Sequence, residues 1–371
     1  MLALLSLCIW LYLVFAHGKF WSSTPELAPA APAAPPFVDI IVPARDEAET
    51  IGRVISSLLA QAYAARFRVI LIDDDSSDGT AAAARAAAAG TPEPVLEVIA
   101  CPPKPPGWSG KLWALNHGIA HAQAPVLLLA DADIVHDPRH LATLVARLDH
   151  PRVDLVSEMV RLNCESLAER WLVPAFVYFF QMLYPFAKVN DPRSTLAAAA
   201  GGTILIRREA LERIGGIASM RDALIDDVTL AKAVKRGGAV YLGHSGLAVS
   251  IRRYPRAADL WHMITRTAFT QLNHSATLLV ITLAGLALVW WLPAGEALLG
   301  HGWPQLCGMA AFILGAGSFV PTLRRYRRNA LWSLALPLTA LFYMAATIGS
   351  AVNHWRGSGA RWKNRDYGDG H

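Results

Sequence analysis

Charge is scarce in this chain, and it is scarce unevenly. Only 17% of the 371 residues are Asp, Glu, Lys or Arg, against about 25% in a soluble domain. The stretches 1–16, 275–292, 303–323 and 329–352 hold none at all, a distribution that a purely soluble enzyme does not show. Cysteine is sparse too: Cys8, Cys101, Cys164 and Cys307 form no CxxC pair. A disulfide scaffold is therefore excluded, and buried thiols in a reducing compartment are expected. The excess of 34 basic over 29 acidic residues is too mild to argue for nucleic acid. No GxGxxG follows the first expected strand, and Gly107–Leu112 lacks the P-loop spacing. HExxH and GxSxG are absent as well. The acidic run from Asp73 begins like an EF-hand, but has Asp78 where that loop needs Gly and Ala84 where it needs Glu.

The uncharged stretches read as membrane segments. Residues 275–292 would span roughly 27 Å as a helix, close to the about 30 Å of a hydrocarbon core, and the next two runs are longer. Residues 1–18 read as an N-terminal anchor, with a cleaved signal peptide as the alternative. Four crossings would place residues 37–271 and the arginines of 324–328 in the cytoplasm, as the positive-inside rule favours. Residues 294–302 would then face out. The tail, 353–371, carries Arg356, Arg361, Lys363 and Arg365 and satisfies that rule less well. The localisation expected is a bacterial-type inner membrane with a cytoplasmic catalytic domain.

Residues 19–36 form a Pro/Ala linker. The expected domain, 37–256, opens with an apolar strand, Val38–Val42, then Pro43-Ala44-Arg45-Asp46-Glu47. Asp46 and Glu49 have the spacing of a capping box, ahead of a helix with Ile51, Val54, Ile55, Leu58 and Leu59 on one face. Strands at 67–72, 95–100 and 126–129 alternate with helices at 81–89 and 111–121. Continuous apolar strands alternating with helices indicate an α/β fold whose parallel sheet is covered on both faces. No internal repeat is visible.

In such sheets chemistry sits beyond the carboxyl ends of the strands. Three strands here end in acids: Arg45-Asp46-Glu47, Asp73-Asp74-Asp75-Ser76-Ser77-Asp78-Gly79-Thr80 and Asp131-Ala132-Asp133. A DxD pair offers two carboxylates from one tight turn, suited to a hard divalent cation whose other ligands are diphosphate oxygens and water. Taken singly, each acidic run also reads as a helix-capping or surface turn. Their order on successive strands is the specific signal.

VPARDEAETI, LIDDDSSDGT, GKLWALNHG, LLADAD, GGTILIRREALERIGG and IDDVTLA together resemble the family 2 glycosyltransferases of GT-A fold, over about residues 37–260. The Trp108–Trp113 stretch, Leu-Ile-Asp-Asp-Val and the membrane layout are most similar to the hopene-associated glycosyltransferases. Ceramide glucosyltransferases are more distant.

The resemblance implies a nucleotide-diphosphate sugar donor, a UDP-sugar, and a Mg2+ or Mn2+ ion. Asp133 matches the metal ligand, with Asp131 bracing the metal or the ribose. Asp74, or Asp73 in a shifted register, matches the uracil contact. Pro43, Arg45 and Glu47 match further nucleotide contacts. Lys111 matches a lysine near the donor, and equally a solvated charge. Asp227 stands where the catalytic base is expected, with Asp226 read as capping the helix from Val228 to Val234. Arg266 is what remains of the QxxRW of processive relatives; its Gln and Trp are missing, which argues for transfer of a single sugar. The Arg suits either a diphosphate or a snorkelling role. Residues 171–187 and the apolar stripe of the helix at 257–274 are expected at the bilayer interface, three transmembrane helices at 275–352, and a lipid as acceptor, in hopanoid biosynthesis by the resemblance. Two rivals stand: a polyprenyl-phosphate sugar synthase, for which Arg252, Arg253 and Arg256 would serve, and a non-catalytic membrane scaffold.

Overall fold

The computed structural model describes residues 1–91, 95–149 and 153–357, with the backbone of Arg361–Trp362 and Arg365–Asp366. The remainder of the polar tail, including Lys363, lies outside the described residues. The chain divides into two compact units. One comprises Pro25–Asn163, Val189–Arg253 and the C-terminal strand pair; the other comprises Met1–Thr24, Cys164–Lys188 and Tyr254–Ala360.

The first unit is built on eight strands: β1 (Val38–Ala44), β2 (Phe67–Asp73), β3 (Leu96–Ala100), β4 (Val126–Ala130), β5 (Ile134–His136), β6 (Val153–Arg161), β7 (Thr203–Arg207) and β8 (Ala239–Ser250). Their order in the sheet is β3-β2-β1-β4-β7-β6-β8-β5. Strands β3, β2, β1 and β4 are mutually parallel, as the alternating pattern predicts. Beyond β4 the sheet departs from the all-parallel expectation. β7 runs antiparallel to both β4 and β6, and β5 antiparallel to β8. The fold is thus a mixed α/β sheet.

Every residue of β1 and β4 is buried, which explains why these strands are apolar throughout rather than alternating. Asp39 is the polar exception. Fully buried, it accepts from Gln123 N at 2.6 Å and Ala124 N at 2.9 Å, and pairs with Arg68 at 2.9 Å. Helix Ala48–Leu59 buries Ile51, Val54, Ile55 and Leu58, the stripe read from the sequence. Because β1, β2 and β4 are adjacent and parallel, with Ala44 opposite Asp73 and Ile41 opposite Leu129, their three acidic turns emerge at one edge.

The expected capping box at that edge does not form. Asp46 has a left-handed backbone, φ 49°, which turns its carboxylate to Ser77 N at 2.9 Å. Glu47 is the N-cap, without a side-chain cap bond, and Ala48 N instead donates to Asp78 Oδ2 at 2.9 Å. The loop after β2 thereby caps the helix after β1.

In the helical unit three helical runs are long and apolar enough to cross a membrane: Ala276–Leu299, Gly302–Arg325 and Ala330–Trp355. The first runs through a wide-turn segment, Ala287–Trp291, and continues into Leu292–Leu299. Residues 294–299 of the stretch expected to face out are therefore helical. Helix Leu2–Phe15 has 14 residues, about 21 Å, short of the core thickness. It docks by polar bonds: Ser6 Oγ donates to Leu288 O and Trp10 Nε1 to Val289 O, each at 2.8 Å. Gly315 leaves room for the Trp10 ring, since a Cβ there would come within 2.8 Å of it.

The 171–187 stretch forms helix Leu167–Leu183, opened by a capping box of Ser166 and Glu169. It packs inside this unit. Tyr178 Oη bonds Ser318 Oγ at 2.6 Å and Trp171 Nε1 donates to Thr339 Oγ1 at 2.8 Å. Outward positions such as Val280, Ile281, Leu298 and Ile313 are exposed apolar residues.

Candidate active site

The acidic turns and the segment Gly201–Asp227 meet in a cleft of the sheet unit, lined among others by Pro43, Lys111, Asp131, Gly201, Asp226 and Asp227. Lys111 lies one residue into helix Gly110–His121, whose N-cap Ser109 accepts from Leu112 N. Its ammonium stands 2.9 Å from Asp131 Oδ1 and 3.2 Å from Asp226 Oδ2, with its side chain only 18% exposed. A solvated surface charge is therefore not its role. Burial opposes the charge, but the surrounding carboxylates of Asp131, Asp226 and Asp227 outweigh it and hold its pKa well above the usual lysine value.

Asp226 and Asp227 open helix Asp226–Lys235. The expected division of labour is corrected here. Asp226 turns to Lys111, while Asp227 Oδ1 accepts from Val228 N at 2.7 Å. Burial, then the neighbouring Asp226 charge, push the Asp227 carboxyl up to about 7, against the pull of Lys111. Asp131 is raised for the same first reason, desolvation.

Asp133 is buried, and accepts from Arg252 Nε, while Arg252 Nη2 donates to Glu47 Oε1 at 2.8 Å. Arg252 thus bridges the turns after β1 and β4. The sequence marked Arg252 only as a cation for a phosphate acceptor; its partner Asp133, 119 residues away, was not legible.

The β2 turn divides its acids. Asp74 is buried, with Arg45 donating to its backbone carbonyl and standing 3.8 Å from its carboxylate. Asp73 Oδ1 accepts from Ser76 N at 3.3 Å, closing its own turn. Asp78 braces Thr80 and Ala48, so the helix-capping role is real for that residue. Arg266 is exposed, belongs to the helical unit, and does not line the cleft.

Asp131 and Asp133 supply two hard oxygen donors from one turn. Among the described residues no group of three or more His, Cys, Asp or Glu is gathered to hold a metal ion. A cation here would take the rest of its shell from phosphate oxygens and water, as Mg2+ commonly does, and the donor set fits that mode.

A mixed sheet with acidic turns converging on a polar cleft is GT-A-like in architecture. Residues 39–215 match the model of the family described as Glycosyl transferase family 2. This match supports glycosyltransferase as the enzymatic class. Among solved structures, the mannosyltransferase PcManGT from Pyrobaculum calidifontis, in complex with GDP-Man and Mn2+, aligns over 97% of this chain and 100% of its own. The TM-score is 0.58 and the identity 22%, which establishes a shared fold. Glucosyl-3-phosphoglycerate synthase from Mycobacterium tuberculosis, in complex with Mg2+ and uridine-diphosphate, aligns over 64% of this chain and 79% of its own, with TM-score 0.43 and 20% identity. No curated protein matches the chain.

Proposed function

We propose that the protein is a membrane-bound, inverting glycosyltransferase that moves one sugar from a nucleotide-diphosphate sugar to a lipid hydroxyl. Asp227 is the catalytic base, and the observation that carries this is its place in the cleft beside Lys111, Asp131 and Asp226, where burial pushes its carboxyl up to about 7. A base with that pKa can take a proton from an acceptor hydroxyl at physiological pH. Asp131 and Asp133 would hold the divalent cation, which when bound neutralises charge on the departing diphosphate. Pro43, Arg45, Glu47 and Asp74 would receive the nucleotide. Lys111 pairs with both Asp131 and Asp226, so that the cleft stays ordered before the donor enters.

The lipid acceptor is supported by the three long apolar helical runs and their exposed apolar faces. The domain limits proposed are an anchor at 1–18, a linker at 19–36, the transferase domain at 37–256, an interfacial helix at 257–274, three transmembrane helices at 275–352 and a tail from 353. UDP is the preferred donor nucleotide and a hopanoid the acceptor, both resting on the sequence resemblance. GDP-mannose belongs in the same test, because a structural neighbour was solved with it.

Nucleotide release by the purified protein, supplied with UDP- and GDP-sugars, lipid extract and Mn2+ or Mg2+, tests the proposal. Metal-dependent release is expected, and its loss in Asp133→Ala. Release with no donor would leave the scaffold reading in place. Stimulation by polyprenyl phosphate alone would favour the phosphate-acceptor rival. Lipids extracted from cells with and without the protein identify the acceptor.

A further inference from the structure

Both carboxylates of the DxD turn already have a cation of the chain itself: Lys111 for Asp131, Arg252 for Asp133. The two are not equivalent. Lys111 is mostly covered and faces three acids, whereas the Arg252 side chain is 39% exposed. Its backbone is fixed, because Ile251 N donates to Asp133 O at 2.8 Å.

We propose that Arg252 is a resident counter-ion of the donor site, handed from Asp133 to the nucleotide diphosphate when a divalent cation and the nucleotide arrive together. This rests on the functional reading above. The charge arithmetic carries it. A bare dication approaching Asp133 meets the Arg252 charge at contact distance and must break its pairs with Asp133 and Glu47. A dication arriving with a diphosphate brings the displaced guanidinium a new anion, and a planar fork suits phosphate oxygens as well as carboxylates. The site thus disfavours metal alone and accepts metal with nucleotide. By linkage the coupling is reciprocal, and couplings of this kind amount to about 5–150-fold in affinity.

The test is calorimetric titration of the full-length protein with Mn2+ alone, UDP alone and each in the presence of the other, for wild type, Arg252→Gln and Arg252→Lys. In wild type, UDP should tighten Mn2+ binding by about 5-fold or more. In Arg252→Gln, Mn2+ alone should bind tighter than in wild type, and the enhancement by UDP should shrink. Arg252→Lys keeps the charge without the fork and should fall between; it carries the test if the Gln variant does not fold. Mn2+ affinity unchanged or weakened in the variants, with the wild-type Mn2+–UDP pair binding normally, overturns the counter-ion role alone. Absence of any Mn2+–UDP binding in wild type overturns the functional reading and this inference with it.

Discussion

Gly201 lies directly against Asp227: a Cβ on Gly201 would stand 3.3 Å from Asp227 Oδ2. The backbone just before β7 therefore forms one wall around the Asp227 carboxylate, and the absent side chain leaves that carboxylate its position. Gly201→Ala should crowd it. Turnover is expected to fall by about 10-fold or more, within the ~10²-fold that a 1 Å misplacement brings. The melting temperature should barely move, since the residue needs no left-handed conformation. Unchanged turnover would show that the base tolerates displacement.

Asp227→Asn keeps the shape and the acceptance from Val228 N but takes no proton. Turnover should drop by about 10²–10⁴-fold. Wild-type kcat/KM should rise with pH through about 7, because the ionised carboxylate is the active form. The sign for stability is opposite. A carboxyl raised in the folded state favours folding least once it must ionise, so its contribution declines from about pH 4 to about pH 7. Thermal melts should show Asp227→Asn gaining on wild type more at pH 8 than at pH 5.

Two neighbours should move the acid limb in opposite directions. Asp226 raises the Asp227 pKa and Lys111 lowers it, so Asp226→Asn should shift the limb down and Lys111→Met should shift it up. Lys111→Met also strands three carboxylates. Its stability loss should be about 3 kcal/mol, the low end for breaking a buried ion pair, because the site is partly open. Shifts of the same sign in both pH profiles would contradict the cluster described.

Cysteine labelling in sealed vesicles checks the membrane arrangement. A cysteine replacing the exposed Arg327 should react from the cytoplasmic side, and one replacing His301, in the short link between helices ending at Leu299 and beginning at Gly302, from the other side. Labelling of both from one face would refute the proposed crossings.

The first half of the sheet was legible because β1 and β4 are buried on both faces and so carry unbroken apolar runs ending in acids. The strands Thr203–Arg207 and Val153–Arg161 carry the same kind of residues, but an apolar run has no arrow, and their antiparallel pairing was invisible. Asp131, Asp133, Asp226 and Asp227 could be located by motif. The pairing of Asp226 with Lys111, and of Asp133 with Arg252, depends on chain reversals that bring residues over a hundred positions apart into contact. The failed capping box has a simpler origin. Spacing alone places Asp46 and Glu49 correctly, whereas the left-handed turn at Asp46 is a backbone property set by the β2 loop.

The bonds from Ser6 to Leu288 and Trp10 to Val289 join residues 282 and 279 positions apart. At a synthesis rate of about 5–20 residues per second, ~15–60 s separate the emergence of the first helix from that of its acceptors. Through that interval the hydroxyl and indole have no Leu288 or Val289 carbonyl to bind, while the strands that carry Asp131 and Asp133 have already been made. Closure of the helical unit is thus a late event in the life of each chain, timed by the ribosome rather than by diffusion.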